Sequence, residues 1–200
     1  MEYDSSMVTG VILAGGRATR MGGNDKGLIE LAGRPMIEYV VDSMKNQVSD
    51  LYINANRNEA AYQRCGYPVF NDSRDDFAGP LAGIATAMGR ATTELLLVAP
   101  CDGPWLPQDL GERLYREMSL AGADVCMAHD GSRLQPVYGL FRCNLAASII
   151  DFLNAGDRKI KLWLDQQRSA IADFSDHPEA FINVNTPEER DRVERQILKG

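Results

Sequence analysis

Between Gly10 and Gly27 the chain reads G-V-I-L-A-G-G-R-A-T-R-M-G-G-N-D-K-G, and few folds can accommodate such a run. Val11, Ile12 and Leu13 form a short apolar stretch suited to a buried strand. It passes directly into Gly15, Gly16, Gly22 and Gly23, interspersed with Arg17, Arg20 and Lys26. Glycine lets a backbone take positive φ and approach a ligand closely. The amides left uncovered form a concavity that favours anions, and Arg and Lys add charge suited to phosphate oxygens. A strand, a glycine-rich turn and cations, in that order, predict a triphosphate site at the carboxyl end of a first strand.

Spacing excludes two common phosphate loops. The Walker pattern places four residues between its glycines and follows Lys with Ser or Thr; here five residues separate Gly16 from Gly22, and Gly27 follows Lys26. The dinucleotide pattern G-x-G-x-x-G is absent as well. What remains, L-A-G-G-x-x-x-R-M-G followed by D-K, resembles the signature loop of nucleotidyltransferases that use nucleoside triphosphates.

Two hundred residues are enough for one domain with a single sizeable core. The formal net charge of −7 argues against a nucleic-acid partner. The opening residues hold Glu2 and Asp4 and lack an apolar signal region, and no apolar run approaches membrane-span length. Cys65, Cys101, Cys126 and Cys143 lie far apart with only His129 and His177 to help, so reduced, buried thiols are expected rather than a zinc site. Ser175-Asp176-His177 reads as a loop and not as hydrolytic machinery.

Short apolar runs alternate with helical patterns, which predicts a mainly parallel sheet flanked by helices. Strands are expected at 11–14, 51–55, 68–71, 95–99 and 181–184. Helices are expected behind Pro35, over 58–65, from Pro80, through Leu110–Met118, over 145–155 and around 160–164. The runs 125–128 and 137–141 flank Asp130-Gly131 and predict an antiparallel excursion. Thr186-Pro187-Glu188-Glu189 reads as a capping box opening a C-terminal helix.

Ligands of open α/β sheets bind beyond the carboxyl ends of the strands. Asn54 and Asn56 end the second expected strand, Asp72 follows the third, Asp102 follows 95–99, and Asn183 and Asn185 close the last. Asp102 is either a turn former or the carboxylate of a Mg²⁺ site, since Mg²⁺ takes one or two carboxylates plus water and phosphate. Asp72 is a cap or a nucleotide contact. Asn54 and Asn56 suit a base or ribose edge but also form turns. Gly79-Pro80-Leu81-Ala82-Gly83 is either a plain helix start or an anion-binding one. Arg158, Lys159 and Lys161 read as a solvated face.

Taken together these segments resemble the molybdenum cofactor guanylyltransferase family over nearly the whole chain. The likeness is carried by G-V-I-L-A-G-G, M-G-G-N-D-K-G, I-N-A-N-R, G-P-L-A-G, P-C-D, H-D-G-S-R-L-Q-P and V-N-T-P-E-E at matching spacing. The resemblance implies one nucleotidyltransferase domain over 1–200, with a Rossmann-like three-layer αβα sandwich. It implies a cytoplasmic enzyme that moves GMP from GTP to the terminal phosphate of molybdopterin, releasing pyrophosphate and supplying molybdoenzymes. GTP contacts carry over to Leu13, Ala14, Gly15, Lys26, Asn54, Asp72 and Asp102, and the Mg²⁺ ligand to Asp102. Gly16 belongs to the same nucleotide-binding backbone, Arg20 and Lys26 would neutralise phosphates, and Gly83, Asn183 and Asn185 are candidates for the second substrate. An already anionic acceptor phosphate needs no general base. Gly103 departs from relatives, which often have Thr or Met there, and is expected to loosen the pocket wall slightly. A sister enzyme using CTP on molybdopterin, or a nucleoside triphosphate on a sugar-1-phosphate, is the nearest alternative. The pterin contacts and any cofactor-delivery partner are not legible.

Overall fold

The computed structural model describes residues 2–15, 25–73 and 79–199. In chain order, β1 (Val8–Leu13) leads through a 3-10 turn at Lys26–Leu28 to the two-residue strands β2 (Glu30–Leu31) and β3 (Arg34–Pro35). Then come α1 (Met36–Met44), β4 (Asp50–Asn54), α2 (Glu59–Tyr62) and β5 (Val69–Phe70). The middle of the chain forms α3 (Pro80–Arg90), β6 (Leu95–Pro100), α4 (Leu110–Ala121), β7 (Val125–His129) and β8 (Leu134–Arg142). The rest forms α5 (Ala146–Asn154), α6 (Ile160–Leu164), β9 (Ser169–Asp173) and α7 (Pro187–Ile197).

Seven strands make the main sheet in the order β5-β4-β1-β6-β8-β7-β9. Only the β6–β8 and β8–β7 pairings are antiparallel, so β8 is the one reversed strand. The chain builds outward from β1 through β4 to β5, then crosses to the other side to add β6. That reversal makes the β1/β6 boundary the switch point of the sheet, where an open α/β fold leaves a crevice.

Both faces of the central strands are covered, and their residues are mostly apolar for that reason, the buried Thr9 of β1 being satisfied by the Thr93 hydroxyl at 2.8 Å. Ile12, Ile53, Leu97 and Ala99 pack on one side with Ile37, Val40 and Met44 of α1 and Leu110, Leu114 and Met118 of α4. Val11, Leu96 and Val98 pack on the other with Leu81, Ile84 and Met88 of α3 and Trp163 of α6. A third cluster joins Leu31 and Met36 to Val184 and to Val193 of α7. The result is the expected three-layer αβα sandwich.

Local signals set the element ends. Gly79, at φ +74°, turns the chain into α3, with Pro80 in its first turn. Gly122, at φ +59°, ends α4. The Thr186 hydroxyl accepts from the Glu189 amide, and the Glu189 carboxylate accepts in return from the Thr186 amide, completing the expected capping box.

One expected strand is absent and another takes its place. Residues 181–184 do not pair: Pro178–Phe181 form a 3-10 turn, and the chain then runs on irregularly to Asn185. The segment is apolar without being a strand because Phe181 and Val184 enter different cores. Phe181 packs edge-on to Tyr138 and Phe174. The last strand is instead β9, which pairs parallel to β7 at the sheet edge. Cys101 and Cys126 are buried as expected, whereas Cys65 and Cys143 are half-buried, and all four are free thiols. Among the described residues no helix is long and apolar enough to cross a membrane.

Candidate active site

A cleft of about 450 Å³ opens beyond the carboxyl ends of β1 and β6, a size ordinary for small-molecule sites. Leu13, Gly15, Asn54, Asp72, Gly79, Pro80, Pro100, Asp102, Val137 and Asn183 line it. The sheet itself delivers the first of these. Ala14 donates its amide to the Asn54 carbonyl at 2.8 Å, and Cys101 donates to the Leu13 carbonyl at 3.0 Å. These bonds extend the ladder to its limit, leaving Gly15 as the first residue past it. A side chain at Gly15 would crowd the cleft wall, because a Cβ there would lie 3.0 Å from Asn56 Nδ2 and 3.4 Å from Asn54 Oδ1.

One wall is an amide–carboxylate cradle. Asn54 Nδ2 donates to Asp72 Oδ1 at 2.8 Å, and Asn56 Nδ2 donates to Asp72 Oδ2 at 2.7 Å. The Asp72 amide returns a bond to Asn56 Oδ1 at 2.8 Å. Each oxygen of Asp72 thus receives one donor and keeps lone pairs for another. A carboxylate fixed in plane, with both oxygens still able to accept, suits a pair of parallel N–H donors on a ligand. Gly83 lies behind this wall: a Cβ there would overlap Asn54 Oδ1, so its lack of a side chain is what lets Asn54 take its place.

The opposite wall carries the charge. Lys26, on the 3-10 turn, donates to Asp102 Oδ2 at 3.0 Å and also to Asn185 Oδ1. The pair is part-buried, with side-chain exposures of 26% and 13%. A partly desolvated ammonium of this kind attracts anions more strongly than a surface one. Asn185 reaches the site although no strand carries it there. The Val184 amide donates to the Asp102 carbonyl at 2.9 Å, which lays the 182–185 segment alongside the end of β6.

Tyr138 of β8 completes that wall and corrects the expectation for Gly103. The Tyr138 hydroxyl, at 2.8 Å from Asn183 Oδ1, occupies the space a Gly103 Cβ would need. The wall is therefore not loosened; the volume spared at Gly103 is filled from β8. Burial first, and then the charge of Asp102, push the Tyr138 phenol well up, so it acts as a donor. It fixes the Asn183 amide with its oxygen toward Tyr138.

The structure thus gathers Leu13, Gly15, Lys26, Asn54, Asp72, Asp102, Asn183 and Asn185 about one cleft, with Gly83 in support. Arg20 and Gly16 lie outside the described residues. Tyr138 and Tyr62 are aromatic residues that sequence reading treats as core, and only their hydroxyl partners reveal more. Ser175 bonds Asp173 and Asp176 pairs with Arg113, so 175–177 is a loop as expected. Lys159 and Lys161 are exposed.

A model of the MobA-like NTP transferase domain matches residues 10–171. The molybdenum cofactor guanylyltransferase of Shewanella woodyi is 49% identical over 195 residues, covering 98% of this chain and 100% of that one. The corresponding protein of Shewanella frigidimarina is 47% identical over 192 residues, covering 96% and 98%. Among solved structures, the molybdopterin-guanine dinucleotide biosynthesis protein A of Archaeoglobus fulgidus superposes with a TM-score of 0.80 at 23% identity, over 96% of this chain and 100% of that one. A 4-diphosphocytidyl-2C-methyl-D-erythritol synthase of Anaerococcus prevotii reaches 0.76 at 12% identity, over 98% of each chain, so the fold is shared well beyond one reaction. With the domain model spanning most of its length and full-length relatives at nearly half identity, this chain belongs to the MobA-like NTP transferase family.

Proposed function

We propose that residues 1–200 act as a single guanylyltransferase domain that moves GMP from GTP to the terminal phosphate of molybdopterin, yielding the guanine dinucleotide and pyrophosphate. The observation that carries this is the placement of Lys26 and Asp102 opposite the Asn54–Asn56–Asp72 cradle across the cleft at the β1/β6 switch point. Guanine presents a ring N–H and an exocyclic amino group side by side, the donor pair that a fixed carboxylate such as Asp72 accepts. Cytosine and adenine present no such pair. The names of the full-length relatives agree with this choice of base and acceptor.

The roles follow from position. Gly15 and Gly16, with the ends of Leu13 and Ala14, hold the nucleotide backbone. Asn54 and Asp72 read the base, and Lys26 with Arg20 neutralises phosphate. Asn183 and Asn185 face the second substrate, whereas Gly83, buried behind Asn54, backs the nucleotide wall and is not placed to meet that substrate. Phosphoryl-type transfer depends on positioning and charge neutralisation more than on covalent help. The acceptor phosphate is itself the nucleophile, and nothing in the cleft need act as a base.

Asp102 fits a Mg²⁺ site. It supplies a hard carboxylate oxygen on the cleft wall, and among the described residues no cluster of three or more His, Cys, Asp or Glu side chains offers a fuller protein cage. One carboxylate, with water and phosphate oxygens, matches how Mg²⁺ binds. The ion would supply charge neutralisation of the phosphates. Free thiols throughout agree with action in the reducing cytoplasm, from which the product passes to molybdoenzymes directly or through a delivery partner.

The test is to incubate the purified protein with Mg²⁺, molybdopterin and each of GTP, CTP and ATP, following pyrophosphate release and the dinucleotide product. Release with GTP alone is the expected result. Release with CTP instead would move the function to a sister enzyme, and release with a sugar-1-phosphate in place of molybdopterin would overturn the acceptor.

A further inference from the structure

Asp25 precedes Lys26 and is a buried carboxylate, only 7% exposed. A charge held that far from water needs partners. The Tyr62 hydroxyl donates to Asp25 Oδ1 at 2.7 Å, and Asn58 Nδ2 donates to Oδ2 at 3.3 Å. Asp25 in turn begins the 3-10 turn that carries Lys26, its carbonyl accepting from the Leu28 amide at 3.0 Å. The turn lies directly on the phenol: a Cβ at Gly27 would be 2.8 Å from the Tyr62 oxygen and 3.2 Å from Cys101 Cβ. Tyr62 is itself fully buried on α2. Burial, then Cys101 and the bond to Asp25, push its phenol well up, so it remains a donor at every working pH.

We propose that Tyr62 is a positioning residue for the triphosphate: its hydroxyl fixes Asp25, and Asp25 fixes the turn that aims the Lys26 ammonium across the cleft. The inference rests on the reading of Lys26 as a phosphate contact. It also gives the segment from Asn54 to Tyr62 two duties. Its first residues hold the Asp72 cradle, and its last holds the cation, so one short stretch of chain sets the distance between the two walls.

The experiment measures GTP and guanosine binding by calorimetry for wild type, Tyr62→Phe, Lys26→Ala and the double variant, with Asn58→Gly alongside. Phe keeps the ring and removes only the hydroxyl. Gly suits the left-handed backbone of residue 58, at φ +51°, and removes the second donor from an exposed position. Tyr62→Phe is expected to weaken GTP about tenfold or more, the lower end of the range for losing a bond to a charged group. Guanosine affinity is expected to stay within about twofold, and in the Lys26→Ala background Tyr62→Phe should add no more than about twofold. Asn58→Gly should shift GTP in the same direction by a smaller factor, and decides the matter if Tyr62→Phe does not fold. Equal losses for GTP and guanosine, unchanged GTP affinity, or full additivity with Lys26→Ala would overturn the inference while leaving the nucleotide reading intact. A wild type that binds no GTP would overturn both. A wild type that binds GTP but does not transfer GMP to molybdopterin would overturn only the proposed reaction.

Discussion

Replacing Gly83 by Ala sets helix propensity against packing, and the structure says which wins. Within α3 the change should by itself stabilise by about 1 kcal/mol, because Ala loses less backbone entropy than Gly. The new methyl, however, would overlap Asn54 Oδ1 and come within 2.9 Å of its Cγ and 3.0 Å of Leu13 Cδ2. Asn54 is 3% exposed and held by Asp72 at 2.8 Å, so it has nowhere to go without breaking that bond. Overpacking of this kind costs about 1–3 kcal/mol, and a lost bond to a carboxylate about 1.5–3 kcal/mol more if Asn54 swings out. The net is a destabilisation of about 0–2 kcal/mol if Asn54 stays and about 1.5–5 kcal/mol if it swings out, or a fall in Tm of up to about 20 °C at about 2–4 °C per kcal/mol for a chain of this length. Gly89 in the same helix provides the control, since nothing lies within 4 Å of its Cβ position. There Ala should raise Tm by about 1–4 °C. Thermal unfolding followed by circular dichroism measures both. If Gly83→Ala is as stable as Gly89→Ala, the close contact with Asn54 is not real, and the cradle built on it fails with it.

Asp102→Asn is expected to cut GMP transfer by about 10²-fold or more. Its Tm should stay within about 2 °C of wild type, because Asn keeps the shape and an oxygen that can still accept from Lys26, and the Asp102 carbonyl that holds Val184 is untouched; retained turnover refutes the assignment. Gly103→Ala should lower Tm through collision with the Tyr138 hydroxyl, and Tyr138→Phe in the same chain should recover part of the loss. A Gly103→Ala protein of unchanged Tm would show that the wall is loose after all. Asp130 feels burial, which raises its carboxyl, but the amide of Arg133 and the hydroxyl and amide of Ser132, with the Gln135 side chain, outweigh it and hold the carboxyl far below the usual range. A depressed carboxylate stabilises the fold above its unfolded value of about 3.9 and loses that contribution as pH falls below it. The stability gap between wild type and Asp130→Asn, read from urea midpoints, should therefore be flat at neutral pH and shrink below about pH 4; a gap that persists unchanged into strong acid refutes it.

What the sequence made legible is what short-range chemistry dictates. The apolar strand that runs out at Gly15, Pro80 behind Gly79, Gly122 after Met118 and the capping box at Thr186 are each decided by neighbours in the chain, and each reads correctly, while the rest of the glycine run lies outside the described residues. The rule that ligands lie beyond strand ends placed Asn54, Asp72 and Asp102 on one edge, because parallel strands share a direction. It reached the right result at Asn183 and Asn185 for an incomplete reason. No strand bears them; the Val184 amide bonds the Asp102 carbonyl instead, and the apolar residues Phe181 and Val184 fall into separate cores. β9 was missed because Ser-Ala-Ile-Ala-Asp buries only two small alanines against α4 and β7, a signal too weak to stand out. The residues hardest to foresee are the buried tyrosines. Tyr62 and Tyr138 look like core, and by burial they are; only the partner of each hydroxyl ties it to the cleft. The same contacts turn Gly27 and Gly103 from flexible punctuation into sites of close approach, since a phenol oxygen occupies the space beside each. In both cases a glycine next to a charged cleft residue, Lys26 or Asp102, meets a tyrosine from a distant part of the chain. A buried hydroxyl thus stands behind each member of the charged pair, bonded to a residue beside it, Asp25 next to Lys26 and Asn183 next to the Val184 amide that holds Asp102, so the core reaches the pair through its neighbours.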